Sequence, residues 1–560
     1  MRYEEFYRQS VEEPERFWAE QARLIHWETP PRQILDQSNP PFRRWFVGGT
    51  TNLCYNAVDR HLAERAEQLA LVAISSETDA TREFTYRQLH REVNTFAAVL
   101  QSLDVGKGDR VVIYLPNMAE AVFAMLACAR IGAIHSVVFG GFAAHNLALR
   151  IDDAQPKLLI AADAGMRAGK VIPYKPLVDA ALNEASAPPP HVLIIDRGLD
   201  RQMTRVAGRD LDYASLRAQH ADAEVPVTWL ESNEPSYLLY TSGTTGKPKG
   251  VQRDVGGYAV AMALSIRRVF DIAPGQVMFS TSDVGWAVGH SYNVYGPLIG
   301  GATSLLYEGL PTRPDAGIWW QLCERYKVRT MFSSPTAIRV LKKQDESWLK
   351  KYDLSTLKWL FLAGEPLDEP TARWITGALG VPVIDNYWQT ETGWPAITLM
   401  PGLDLKTVKF GSPGLPAPGY RMKVIDENTG QEVAAGTREI EESVASHPAV
   451  AEAAVVGVKD ELKGQVPIVF ATLKRDAGDG AADVARAMQQ RVVDQLGGVA
   501  RPSRIYVVNA LPKTRSGKLL RRSLQALAEH RDPGDLSTLD DPGALEGIRQ
   551  ALDHGPDQGS

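Results

Sequence analysis

The sequence predicts an α/β fold, a large N-terminal domain of α/β layers with parallel sheets followed by a small α+β C-terminal domain. Three observations carry this prediction. Short apolar runs alternate with longer helical patterns from Phe84 to Ile160, and the alternation recurs from Val277 to Ile384. Strands separated by helices imply parallel pairing with both sheet faces covered. Near Gly411-Ser412-Pro413-Gly414 the texture changes to short strands and turns, and from Thr437 a compact α+β pattern follows.

Taken in order, residues 1–60 form an N-terminal helical module, rich in Glu, Arg and Trp and punctuated by the loop-forming Asn39-Pro40-Pro41. The large domain is expected over 61–435. Within it Val111-Val112-Ile113-Tyr114-Leu115 reads as a buried strand and Glu120 to Ile131 as a helix. Ser136-Val137-Val138-Phe139 is a second strand, followed by a helix through Ala148 and a third strand at Leu158-Leu159-Ile160. Met422-Lys423-Val424-Ile425 reads as a short strand. The small domain, 436–530, is expected as helix 438–446, strands 452–458 and 467–473, helix 483–496 and strand 504–508. The Asp-, Gly- and Pro-rich stretch 531–560 reads as an acidic tail that ends in a weakly ordered segment.

A chain of 560 residues with 44% hydrophobic and 23% charged residues has the balance of a soluble globular protein with ample core. Its net charge of −6 argues against a general binder of nucleic acid or of membrane surfaces. Cys54, Cys128 and Cys323 lie far apart without metal-ligand spacing, so nothing requires an oxidising compartment. The N-terminus lacks the apolar core of a signal peptide, and the apolar stretch Ala121–Phe142 carries Arg130 and His135. The expected compartment is the cytoplasm.

The richest segment runs from Tyr240 to Val251: Tyr-Thr-Ser-Gly-Thr-Thr-Gly-Lys-Pro-Lys-Gly-Val. It follows the apolar run Tyr237-Leu238-Leu239-Tyr240 and is too punctuated by Gly and Pro to be helix or strand. Thr241, Ser242, Gly243, Thr244, Thr245, Gly246, Lys247 and Lys249 can turn backbone N–H groups, hydroxyls and ammonium groups toward one point, a nest for phosphate oxygens. Because Pro248 follows Lys247, the segment is not the P-loop of a kinase, which needs Ser or Thr there for magnesium.

Three further motifs stand in order behind it: Ala363-Gly364-Glu365-Pro366, Asp385-Asn386-Tyr387-Trp388-Gln389-Thr390-Glu391 and Pro512-Lys513-Thr514-Arg515-Ser516-Gly517-Lys518. Taken singly, each is an ordinary turn or core segment. Together with Tyr240–Val251 they resemble the AMP-forming acyl-adenylate synthetases, and within them the short-chain acyl-CoA synthetases, over about residues 3 to 550. Val251–Tyr258 and Gly309-Leu310-Pro311-Thr312 are more similar to the propionyl branch than to the acetyl branch.

The resemblance implies a ligase that joins propionate or acetate to ATP, releasing pyrophosphate from an acyl-AMP, and then passes the acyl group to coenzyme A. It implies that 240–251 holds the β- and γ-phosphates, Thr390 the α-phosphate and Glu391 the magnesium ion, a hard cation that prefers oxygen. Gly364, Glu365 and Pro366 would lie beside the adenine, Tyr387 would stack on it, and Asp385, Asn386 and Gln389 would line the same pocket. Ala287, Val288 and Trp388 would form the acyl pocket, with Trp388 as its floor. Propionate and acetate differ by one methylene, worth ~1–3 kcal/mol, so discrimination between them should be leaky. Arg167 and Lys170 match contacts to the coenzyme A phosphate, and His447 a cation site. Lys518 would bridge the carboxylate and the α-phosphate. The same lysine is a target of reversible acylation in the family, which implies an acyltransferase or deacylase as a partner.

The chain departs from the family between Val433 and Thr437, where relatives carry several tens of residues. That segment holds an aspartate for the ribose hydroxyls, a hinge and a Gly-His-Arg loop. Two ribose hydrogen bonds to a buried carboxylate contribute about 1.5–3 kcal/mol each. The family's two half-reactions also use two orientations of the C-terminal domain about that hinge. The shortened segment therefore predicts weaker ATP binding, an incomplete C-terminal domain and, as the alternative to an active ligase, a nucleotide- or acyl-binding remnant.

Overall fold

The computed structural model describes every residue except 1, 242–247, 366, 424–436, 461–463, 475–479, 497–500, 514–518, 534–535, 537–538, 540 and 556–560. The chain divides into two compact units, Met1–Arg421 and Met422–Ser560.

The first unit is built on two seven-stranded sheets. In one, strands Asp210–Asp212, His191–Ile195, Leu158–Ala162, Arg110–Tyr114, Ile134–Val137 and Pro235–Thr241 are parallel, and Lys249–Asp254 closes the edge antiparallel. In the other, Val383–Asp385, Trp359–Leu362, Val328–Ser333, Val277–Ser280, Thr303–Glu308 and Leu69–Ser75 are parallel, with Ala80–Thr85 antiparallel at the edge. The central strands read as unbroken apolar runs because both faces are covered, whereas edge strands such as Asp210–Asp212, Ala80–Thr85 and Lys249–Asp254 are polar. Helix Ala119–Ile131 is buried on every side except at Glu120 and ends on Gly132 in the left-handed conformation, a C-cap that glycine adopts at no steric cost. Its Arg130 is paired with Asp59 at 2.9 Å, which is why an apolar helix carries a charge here. No helix among the described residues is long and apolar enough to cross a membrane.

The N-terminal module is only partly helical. Helices Tyr3–Glu12 and Pro14–Gln21 are followed by a hairpin, Gln33–Asn39 with Phe42–Val47, whose turn is formed by the Pro40-Pro41 segment that reads as a loop. The helices strap onto the end of the unit through Tyr3 Oη to the Pro416 carbonyl at 2.7 Å and Tyr7 Oη to the Tyr420 carbonyl at 2.9 Å.

In the second unit, strands Val450–Asp460 and Gly464–Leu473 pair antiparallel, and Arg504–Val507 runs parallel to the latter. Alternate residues face opposite sides, as the pleat requires. Ala454, Val456, Ile468, Phe470 and Tyr506 share a core with Leu524, Leu545 and Ile548, whereas Val455, Val469, Ala471 and Ile505 pack with Val444, Val484, Met488 and Val492. The sheet is thus covered on both faces; the expected loss of this domain's first strands falls on residues 424–436, outside the described residues. Within the expected tail the structure adds a helix, while the tail's end, 556–560, lies outside the described residues. Pro542–His554 is a helix started by the Asp541 side chain, and it docks because Ala544, Leu545 and Ile548 recur at helical spacing. Met422 and Lys423 lie in no strand, and Val424 and Ile425 fall outside the described residues.

Candidate active site

The second sheet of the first unit ends, at the carboxyl ends of its parallel strands, in Thr281, Ser333, Ala363 and Asp385. Open α/β sheets place ligands at that edge. The strand ends are fastened to one another by Thr281 Oγ1 and Ser333 Oγ at 2.9 Å, by Ala363 N–H to the Ser333 carbonyl at 3.2 Å and by Asn386 N–H to the Leu362 carbonyl at 3.0 Å.

A cavity of about 520 Å³ opens there, lined by Ala287, Val288, Ala363, Gly364, Trp388 and Thr390 among others. The three residues expected for the acyl pocket, Ala287, Val288 and Trp388, therefore share one space with Gly364, Gln389 and Thr390 from the nucleotide set. Trp388 is held by Tyr292 at 5.7 Å and Phe332 at 6.4 Å between ring centres. The Asp283–Val288 loop is set by Asn117, which donates to the Ser282 and Tyr307 carbonyls and accepts from Val284 N–H, all at 2.9–3.0 Å. Gly289 allows this loop to close, since a Cβ there would lie 2.0 Å from the Asp283 carbonyl oxygen.

Gly364 has φ +104°, and no atom lies within 4 Å of where a Cβ would project, so its missing side chain leaves a cradle against the cavity. Asn386 is buried with neither amide atom hydrogen-bonded among the described residues, and Tyr387 is half-exposed. An unpaired amide beside a flat cradle suits a heteroaromatic base, which offers both donors and acceptors. Burial pushes the Asp385 carboxyl up to about 6, and burial likewise raises Asp283 to about 6. Glu365 is held below the usual carboxylate range by its hydrogen bond from Thr336 and by Arg339 at 3.0 Å. Glu391 is exposed at the end of the loop, so its carboxylate can take a hydrated cation.

The phosphate segment differs from expectation at its ends. Strand Pro235–Thr241 runs past Tyr240, the chain resumes strand at Lys249, and Thr241 and Lys249 face each other across the ladder. The register explains this: Tyr240 packs against Gly250, and its hydroxyl donates to Asp153 at 2.6 Å. Ser242, Gly243, Thr244, Thr245, Gly246 and Lys247 lie outside the described residues, as do Pro366 and Lys518. Arg167 and Lys170 sit opposite each other on the exposed hairpin Ala164–Arg167 and Lys170–Pro173. In the second unit, His447 Nδ1 accepts from Ala449 N–H at 3.3 Å, and the described residues contain no group of three side chains able to hold a metal ion.

Two contributors escaped the reading of the sequence. Ala363 lines the cavity, and a small residue directly before the Gly-Glu-Pro motif was the available signal. Arg253 sends Nη2 to the Thr390 carbonyl at 2.6 Å, and both Nη1 and Nη2 lie 3.2 Å from the Glu391 carbonyl. No local pattern marks that clamp, because it joins two sheets.

Residues 58–444 match the AMP-binding enzyme family, 3–57 the acetyl-coenzyme A synthetase N-terminus and 439–518 the AMP-binding enzyme C-terminal domain. The chain belongs to the AMP-binding enzyme family. It is 52% identical to the propionate–CoA ligase of Escherichia coli (strain K12), over 99% of this chain and 100% of that protein. It is equally 52% identical to the propionate–CoA ligase of Salmonella typhimurium, over the same shares. The acetyl-coenzyme A synthetase of Pyrobaculum aerophilum is 38% identical over 98% of this chain and 94% of its own length. The match to the Escherichia coli protein runs over 628 positions against 560 residues here, so at least 68 of its positions have no counterpart in this chain. The shortened stretch expected between Val433 and Thr437 falls within residues 424–436, which lie outside the described set.

Proposed function

We propose that this chain is an AMP-forming short-chain acyl-CoA synthetase acting on propionate and, less well, on acetate. The observation that carries the reading is one cavity in which Ala287, Ala363 and Trp388 meet Gly364 and Thr390. Small side chains over an indole floor leave room for two or three carbons beside a nucleotide-sized cradle. The carboxylate oxygen attacks the α-phosphorus of ATP, and the bond to the β-phosphate oxygen breaks to release pyrophosphate. The coenzyme A thiol then forms the thioester, losing its proton, while the acyl–oxygen bond breaks and AMP leaves.

No protein nucleophile is needed, so the chain's task is alignment and charge neutralisation. Segment 241–249 and Thr390 would hold the phosphates, Gly364, Glu365, Pro366, Asp385, Asn386, Tyr387 and Gln389 the adenine side, Arg167 and Lys170 coenzyme A, and Lys518 the incoming carboxylate. Glu391 would hold magnesium, which supplies positive charge against the developing pyrophosphate. Lys518 would also be the site at which a lysine acyltransferase and its deacylase act. The described contacts of His447 give its cation role no support.

The unmatched positions raise a second reading, in which the chain binds nucleotide and acid without turnover, but the full-length likeness to acyl-CoA ligases favours the first. Propionate-dependent exchange of pyrophosphate into ATP tests the first half-reaction, and thioester formation tests the second. Exchange with propionate exceeding exchange with acetate supports the ligase. Binding of ATP with no exchange for any short acid would favour the second reading instead.

A further inference from the structure

The hairpin that carries Arg167 and Lys170 combines two unfavourable features. Its turn places Ala168 at φ +55° and Gly169 at φ +77°, the left-handed pair that two-residue hairpins need but that alanine resists. The same turn sets two cations directly opposite each other across the ladder, and neither makes an ion pair with a described residue. Strain and like charge at one exposed tip point to function.

The tip is held from the second sheet. Glu77, just past strand Leu69–Ser75, accepts from Ala168 N–H through Oε1 at 2.9 Å and from Gly169 N–H through Oε2 at 2.7 Å. The two amides form a small nest that one carboxylate fills. Arg313, beyond strand Thr303–Glu308, donates from Nη1 to the Ala168 carbonyl at 2.5 Å. The two supports are joined, because the Tyr307 hydroxyl lies 2.7 Å from Ser76 Oγ and 3.2 and 3.1 Å from the carbonyls of Leu310 and Arg313.

We propose that Glu77, backed by Arg313, is a positioning residue for coenzyme A: it locks the strained Ala168-Gly169 turn so that Arg167 and Lys170 stand side by side for a phosphate group. The inference rests on the assignment of Arg167 and Lys170 to coenzyme A. Glu77 touches neither cation through a hydrogen bond or ion pair and acts through the turn alone.

The test is equilibrium binding of coenzyme A and, in parallel, of ATP to the full chain and to Glu77→Ala and Glu77→Ala/Ala168→Asn. An Asn-Gly pair adopts this turn unaided, so the double variant should not need the carboxylate. Glu77→Ala is expected to weaken coenzyme A binding about tenfold, leave ATP binding within twofold, and recover in the double variant. Unchanged or tighter coenzyme A binding in Glu77→Ala overturns the proposal, as does loss of both ligands or failure of the double variant to recover. Failure of the unaltered chain to bind coenzyme A at all overturns the assignment of the hairpin, and the proposal with it.

Discussion

Replacing Arg253 by Met removes the clamp between the edge strand of the first sheet and the Thr390–Glu391 loop while keeping the packing stem. The 2.6 Å bond from Nη2 to the Thr390 carbonyl is a hydrogen bond from a charged donor, worth about 1.5–3 kcal/mol. The two 3.2 Å contacts share the Glu391 carbonyl and together add roughly 1 kcal/mol. Both carbonyls lie near the surface, where water replaces part of the loss, leaving a net of about 1.5–2.5 kcal/mol. At 1.4 kcal/mol per tenfold, kcat/KM for ATP in propionate-dependent pyrophosphate exchange should fall about ten- to sixtyfold. Arg253→Lys should recover little of this, since an ammonium lacks the fork that reaches two carbonyls. Exchange within twofold of the unaltered protein in folded Arg253→Met would show that the loop holds its place without the clamp.

Ala363→Val places two methyl groups in the cavity beside Ala287, Val288 and Trp388, and kcat/KM for propionate should drop about 10–100-fold relative to acetate; an unchanged ratio in exchange assays would place the acid elsewhere. Asp283 is held near 6 against the ordinary 3.8, so its folded form keeps a proton that the unfolded chain releases, and its contribution to stability falls as pH rises from about 4 to 6. The stability difference between the unaltered protein and Asp283→Asn should therefore move by about 3 kcal/mol across that window, read from urea midpoints, and stay flat above it. Ile548→Ala opens a fully buried site in the second unit and should cost about 2–5 kcal/mol, seen as faster amide exchange in strands Val450–Asp460 and Gly464–Leu473; unchanged protection would mean that the last helix is not docked.

Local pattern carried far in this chain. The alternation of apolar runs and helical segments marks the parallel strands to within a few residues, because a strand covered on both faces has no polar period to confuse it. It shifted the strand at 136–139 to Ile134–Val137, since Val138 and Phe139 remain apolar after leaving the ladder to approach the site. The last helix escaped notice because Gly and Pro dominate its surroundings while its three apolar contacts are few. The ordered motifs likewise contain the cavity-lining residues Gly364, Trp388, Gln389 and Thr390, and the family resemblance added Ala287 and Val288.

The sequence by itself determined the family, the two-part α/β architecture and the chemistry offered by each motif, because these depend on residue type and spacing along the chain. The tertiary structure alone decided that Ala363 lines the cavity, that Arg253 reaches Thr390 and Glu391 137 and 138 residues away, and that Glu77 fills the amides of a turn 91 residues downstream. The Arg253 and Glu77 contacts each run from a side chain to the backbone of another sheet or its loop, and such a reach leaves no period in either segment.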